Sequence, residues 1–319
     1  MTTTSTLSGA ISRRWRQLPS TALYYAIKLA PIDLGDPAYF ARMIEKDRAA
    51  GPQRPSRRGL AKLDFREGIE AGLRTFRARR KGAPETPLRL LFLHGGAFIM
   101  DLQTIQWNIP IGLLERVDAE VVAPIYPLGP EADWAETTTA IQRHYLALAE
   151  AHGAENIIVF GDSAGASLTL LLAQALRDAG LPQPKALVLF SPALDLTGED
   201  PGQKALARRD PMLSLGLFGE VRSRWLKGLP PRDPRVSALF ASHADLPPTM
   251  VFSGDREILG SDALRLKAAN PAIDHRHYPG MVHVWPNFPI PEARQALDEA
   301  ASFIRLHSNE STLRKPNPT

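Results

Sequence analysis

From Leu88 onward, short apolar runs rich in branched residues alternate with longer helical stretches, and this alternation constrains the fold more than any other feature. The runs are LRLLFL (88–93), EVVAPI (120–125), NIIVF (156–160), KALVLF (185–190) and TMVFS (249–253). Unbroken hydrophobicity at that length marks strands covered on both faces. The stretches Trp134 to Ala151 and Ala164 to Ala179 supply helical crossovers of the kind a parallel sheet requires. A last helix, Pro291 to Leu306, opens with a proline where the missing N–H costs little. The fold class is therefore α/β: a mostly parallel twisted sheet covered by helices on both faces. Ahead of it, GLAKLDFREGI and EAGLRTFRARR, between Gly59 and Lys81, read as an antiparallel hairpin at a sheet edge. Between Asp195 and Asp233 the alternation breaks for about forty residues, as in an inserted cap or lid.

Composition removes whole classes of function. The absence of cysteine excludes disulfide frameworks, zinc–thiolate sites, iron–sulfur clusters and cysteine nucleophiles. A mean hydropathy of −0.17, with no apolar run near eighteen residues, leaves no candidate spanning helix. Up to Lys81 the chain carries 17 basic against 7 acidic residues, although the whole chain is only +4. Those basic residues flank turn-rich stretches without any nucleic-acid-binding signature, so they read as a solvated face, and neither nucleic acid nor a membrane is an expected partner. The first 32 residues hold no acid and include Arg13, Arg14 and Arg16, a composition shared with organelle transit peptides. Helical spacing of Trp15, Leu18, Leu23, Ile27 and Ala30 favours instead an amphipathic helix lying over a pocket. The six-residue run Ala22 to Ile27 is too short for a secretory signal, and the expected location is the cytoplasm.

The chemistry is written in two motifs. Gly161-Asp162-Ser163-Ala164-Gly165 follows NIIVF directly and opens a helix. A G-x-S-x-G between strand and helix forms a tight turn that exposes its serine as a nucleophile, and its glycines avoid clashes with the neighbouring strand and helix. A phosphate-cradling loop would need a lysine that is not there. His94-Gly95-Gly96-Ala97 follows LRLLFL. Consecutive glycines let a backbone approach a substrate closely, and Gly95 and Gly96 together with Ala164 are the expected N–H donors to a tetrahedral oxyanion.

With both motifs in place, the chain resembles the bacterial hormone-sensitive-lipase-like carboxylesterases, a branch of the α/β-hydrolase fold. The likeness runs from about Leu88 to Leu306 and includes Tyr126-Pro127-Leu128-Gly129-Pro130-Glu131, Ser191-Pro192 and Gly280-Met281-Val282-His283. It implies one α/β-hydrolase domain over 1–319, with a cap from about 1–50 and 196–232 and a catalytic core from about 59–195 and 233–307. It also implies a Ser, acid, His order along the chain and no cofactor. Ala97 departs from the third glycine of most members, and members with either residue tend to accept crowded alcohols. Relatives often pair through an edge strand and the last helix, which makes a homodimer one expectation.

His283 is the expected general base, lying in a turn between the last candidate strand, IDHRHY, and the final helix. His275 and His277 within that strand read as structural, His144 and His152 as surface or packing residues, and His94 as a brace for its loop. For the acid, Asp255, Glu257 and Asp262 compete after TMVFSG. The family places leucine two residues after the acid, so Glu257-Ile258-Leu259 fits, although most members carry aspartate; Asp255 needs a loop two residues shorter, and Asp262 is free to cap a helix. Asp162, Glu131 and Asp195 read as structural.

The expected function is that of a serine esterase acting on short- to medium-chain carboxylic esters through an acyl-enzyme. Trp15, Tyr24, Met212, Leu213, Phe218 and Trp225 are expected around its substrate. The alternatives are an interface-acting lipase, a non-catalytic ligand receptor of the same fold, and an amidase using the same residues.

Overall fold

The computed structural model describes residues 19–30 and 36–308. The hairpin at the sheet edge is β1 (Leu63–Glu70) and β2 (Leu73–Arg80), joined through Ala71 and Gly72 at φ 47° and 81°. Two positive φ values in succession give the turn whose twist matches that of the strands. The remaining strands are β3 (Arg89–Leu93), β4 (Glu120–Pro124), β5 (Ile157–Asp162), β6 (Ala186–Phe190), β7 (Thr249–Arg256) and β8 (Asp274–Val282). They form one eight-stranded sheet in the order β1-β2-β4-β3-β5-β6-β7-β8. β2 is antiparallel to β1 and β4, and all other pairs are parallel. Each apolar run of the sequence overlaps one of these strands.

The helices are α1 (Ser20–Lys28), α2 (Pro37–Ala50), α3 (Arg57–Leu60), α4 (Asn108–Leu114), α5 (Trp134–His152), α6 (Ala164–Asp178), α7 (Pro201–Leu206), α8 (Gly216–Val221), α9 (Gly260–Ala269) and α10 (Pro291–His307). Side chains alternate across each strand and so divide the core in two. Leu91, Leu93, Val159, Leu189 and Val251 face α5 and α6, while Leu90, Phe92, Phe160, Phe190 and Phe252 face α4 and α10. On the second face Phe92 stacks on Phe160 at 4.8 Å and Phe190 on Phe252 at 4.9 Å, partners in the parallel register. α5 starts at a capping box, in which Asp133 accepts from the N–H groups of Ala135 and Glu136 while the Glu136 side chain accepts from Asp133.

The front of the chain differs from the expectation. Trp15 and Leu18 lie outside the described residues. α1 packs Leu23, Tyr24 and Ile27 on the β8 side of the core, and Arg256 stacks on the Tyr24 ring at 4.4 Å. α1 buries none of its side chains, whereas α2 buries Phe40, Ile44 and Asp47 and is capped by Asp36, which accepts from Ala38 N–H at 2.8 Å. Its Arg48 donates to the carbonyls of Ile99 and Gly129 and pairs with Asp47 and Glu131. Among the described residues no helix is long and apolar enough to cross a membrane.

Candidate active site

Ser163 stands between the end of β5 and the first residue of α6, with φ 55° and ψ −120°. A residue with a side chain reaches that region only under strain, which surrounding contacts must hold. Its N–H donates to Phe190 O at 2.9 Å, tying the elbow to β6. A Cβ on Gly165 would collide with the Leu93 carbonyl, and one on Gly161 would lie 2.6 Å from the same oxygen. Both glycines are therefore needed for the turn to close against β3.

His283 follows β8, directly ahead of Val284 at φ 48°. Its Nε2 lies 2.9 Å from Ser163 Oγ and its Nδ1 lies 2.8 Å from Glu257 Oε2. A carboxylate only accepts, so the ring proton sits on Nδ1 and Nε2 is left to accept from the serine. Glu257 is fully buried. Its other oxygen accepts from Gly254 N–H at 2.6 Å and from Ser191 Oγ at 3.1 Å, and Ser191 in turn accepts from Val284 N–H. One hydroxyl thus braces both the acid and the histidine turn.

The competing acids are engaged elsewhere. Asp255 accepts from Gly280 N–H at 2.5 Å and pairs with Arg209 at 3.1 Å. Asp262 does not cap α9 with its side chain: it accepts from the N–H groups of Leu194 and Asp195 and from Gln203, and burial pushes its carboxyl up to about 8. Glu131 grips Arg48, and Asp195 grips Arg265 at 2.6 Å. His144 is buried with Nε2 3.1 Å from Thr75 Oγ1, His152 ends α5, and His275 lies 2.8 Å from Ser253 Oγ. His277 lies on β8, its ring 6.1 Å from that of His275.

The glycine loop corrects the expected donor set. Gly95 N–H donates to Asp162 Oδ1 at 2.9 Å, so it is taken by a buried carboxylate and not open to a substrate. A Cβ at 95 would lie 2.7 Å from Asp162 Oδ2, which explains that glycine. Asp162 also accepts from Gln106 Nε2 at 3.0 Å, and burial raises its carboxyl to about 6. Burial lowers the His94 value to about 4, and because a carbonyl only accepts, the His94 Nδ1 carries the proton and donates to Gly95 O at 2.7 Å. Tyr126 stacks on the His94 ring at 4.4 Å and donates to His94 O. A trans peptide points its N–H away from its C=O. With Gly95 O held by His94, and Gly96 O accepting from Ile99 and Met100, the N–H groups of Gly96 and Ala97 face the opposite way. Among the described residues neither has a protein acceptor, nor does Ala164 N–H at the first position of α6.

Beside Ser163 lies an apolar cavity of about 30 Å³, whose walls include Ala97, Phe98, Leu213, Leu217, Phe218 and Ile258. Of the side chains expected around the substrate, Leu213 and Phe218 line this cavity. Tyr24 and Met212 are not among these walls and pack against the core cluster that contains Phe252, Trp225 is buried behind the wall, stacked on Phe98 at 4.0 Å, and Trp15 lies outside the described residues. Sequence reasoning singled out Ala97 and Ser191 without the contacts they make here, and it missed Gln106 and Asp210. Asp210 had one signal, its place before a proline in Asp-Pro-Met-Leu, which marks a turn.

A serine elbow at the end of a central parallel strand, hydrogen-bonded to a histidine after the last strand, defines a hydrolase of the α/β class. The alpha/beta hydrolase fold family matches residues 90–287. An acetyl-hydrolase of Streptomyces hygroscopicus is 32% identical over 229 residues, covering 69% of this chain and 76% of that one. An esterase of Acinetobacter venetianus is 34% identical over 230 residues, with the same coverage of 69% and 76%. The crystal structure of EstE5 soaked with p-nitrophenyl butyrate superposes with a TM-score of 0.81 at 24% identity, over 90% of this chain and 98% of that one. The chain belongs to the α/β-hydrolase family, among its carboxylic ester hydrolases.

Proposed function

We propose that the protein hydrolyses esters of short acyl groups through an acyl-enzyme formed on Ser163. The observation that carries this reading is the continuous hydrogen-bonded chain from Ser163 Oγ through His283 to Glu257, at 2.9 and 2.8 Å. His283 Nε2 takes the serine proton as Oγ attacks the ester carbonyl, and the tetrahedral oxyanion is held by the N–H groups of Gly96, Ala97 and Ala164. Collapse breaks the bond to the alkoxy group, which leaves as the alcohol with the proton returned from His283. A water then repeats the sequence on the acyl-serine, giving the acid and the free enzyme. Glu257 holds the ring tautomer and stabilises the imidazolium formed in each half.

The small cavity supports short acyl groups. At about 30 Å³ it offers little beyond the ~10–15 Å³ that one water needs. Longer chains require Leu213, Leu217 or Phe218 to move. Water and the ester are the only reactants that this reading requires. A series of p-nitrophenyl esters from acetate to decanoate tests the reading. Turnover is expected to be highest on acetate or butyrate and lost in Ser163→Ala with the circular dichroism spectrum unchanged; undiminished turnover in that variant would overturn it.

A further inference from the structure

Asp210 belongs to neither motif and touches no reacting atom, yet it joins the two halves of the site. It lies between α7 and α8 in the inserted segment, directly before Pro211. Oδ1 accepts from Met212 N–H and Leu213 N–H, both at 2.8 Å. Oδ2 accepts from Ile258 N–H at 2.7 Å, on the residue after Glu257. Leu213 and Ser214 on one side, and Ile258 and Leu259 on the other, line the cavity beside Ser163. A single carboxylate therefore bolts one wall of that cavity to the loop of the acid.

The position of the bolt matters because Glu257 is longer than aspartate. An extra rotatable bond lets the carboxylate wander unless its backbone is fixed. The peptide between Glu257 and Ile258 is fixed at both ends, its C=O accepting from Gly260 N–H at 3.2 Å and its N–H donating to Asp210. The neighbouring Arg209 adds an outer tie to Asp255 on the same loop. We propose that Asp210 is a positioning residue, whose carboxylate sets the aim of Glu257 at His283 and closes the inserted segment over the substrate. This rests on the triad reading above.

Burial raises the Asp210 carboxyl to about 6, the three backbone N–H bonds and the nearby His283 pulling the other way. Of the charged and titratable groups, His283 acts on it directly, and Arg209 beside it in the chain pairs with Asp255 on the loop of Glu257. Acid that protonates Asp210 removes the charge from the Ile258 bond. The Asp210 ionisation is thus expected to contribute to the acid limb of log kcat against pH.

Asp210→Asn separates the two bonded arms. An amide oxygen serves the Met212 and Leu213 pair or Ile258, and the NH₂ then opposes a backbone N–H on the other side. With p-nitrophenyl acetate, kcat is expected to fall about 10²-fold, the cost of a misplacement on the order of 1 Å. The acid limb should lose the Asp210 contribution and change shape, and Asp210→Glu, which keeps the charge, should recover part of the loss. If the asparagine variant does not fold, Asp210→Glu carries the test, its kcat expected to fall more than about twofold but less than about 10²-fold. A kcat within twofold of the parent in the variant tested, or an acid limb unchanged in a folded Asp210→Asn, overturns the proposal. A parent inactive on every p-nitrophenyl ester, or an active Ser163→Ala, overturns the triad reading instead.

Discussion

Replacing Glu257 by glutamine keeps the shape of the side chain and removes one acceptor. Oε1 accepts from Gly254 N–H at 2.6 Å and from Ser191 Oγ, and Oε2 faces His283 Nδ1 at 2.8 Å. An N–H cannot accept, so the amide oxygen of the variant must stay on the Gly254 side and its NH₂ must face His283. The imidazole then accepts at Nδ1 and carries its proton on Nε2, pointed at Ser163 Oγ. In that tautomer it cannot take the serine proton. The equivalent change in a serine protease costs about 10⁴ in kcat, or about 5.4 kcal/mol of barrier at 1.36 per decade. Steady-state kinetics on p-nitrophenyl acetate, with thermal melts to show an intact fold, read the effect. Asp255→Asn is the control, because its amide oxygen still accepts from Gly280 N–H and only the exposed pair with Arg209 is lost. Less than a tenfold loss is expected there. Near-normal turnover in Glu257→Gln, or an equal collapse in Asp255→Asn, would refute the reasoning.

Asp162→Asn should lower kcat by setting an NH₂ against Gln106 Nε2, and adding Gln106→Glu should restore most of it, because the pair then donates and accepts in reversed order. A double variant no faster than the single one would show that the bond direction is irrelevant. His144 is buried with its value lowered by burial to about 4, so the folded state binds fewer protons than the unfolded state between about pH 6.5 and 4. Stability should fall as pH drops through that window, by up to about 1.4 kcal/mol per unit, and urea unfolding of His144→Gln should be less pH-dependent than that of the parent. Phe218→Ala opens the cavity wall, and kcat/KM for octanoate relative to acetate is expected to rise about tenfold or more, as loss of a hydrophobic fit of 1–3 kcal/mol would allow. An unchanged chain-length profile would place the acyl group elsewhere.

The strands and the serine elbow were legible because their signals are local. A five-residue apolar run is buried on both faces wherever it sits in a parallel sheet, and G-x-S-x-G needs only its own strand and helix. The carboxylate that meets His283 was legible through the family's frame, since Leu259 two residues after Glu257 distinguishes it from Asp255. What the sequence hid depends on distant contacts. Gly95 looks like a donor to substrate until the Asp162 carboxylate, 67 residues away, is seen bonded to its N–H. Asp210 looks like a turn residue until Ile258 is seen beside it. α2 carried its start signal, an aspartate followed by proline, but its buried stripe is only Phe40, Ile44 and Asp47, too thin a pattern to stand out. The helix expected around Leu23 and Ile27 exists, yet its packing partner was a matter of tertiary geometry that helical periodicity does not encode.

Acyl transfer to Ser163 is tested most directly by trapping the intermediate. The enzyme is mixed with p-nitrophenyl acetate, quenched in acid within the first turnover, digested, and mapped by mass spectrometry. An acetyl group on the peptide carrying Ser163, present in the parent and absent in Ser163→Ala, is the expected result. Turnover with no acetyl on Ser163 at any quench time, or with the acetyl on another residue, would contradict the mechanism.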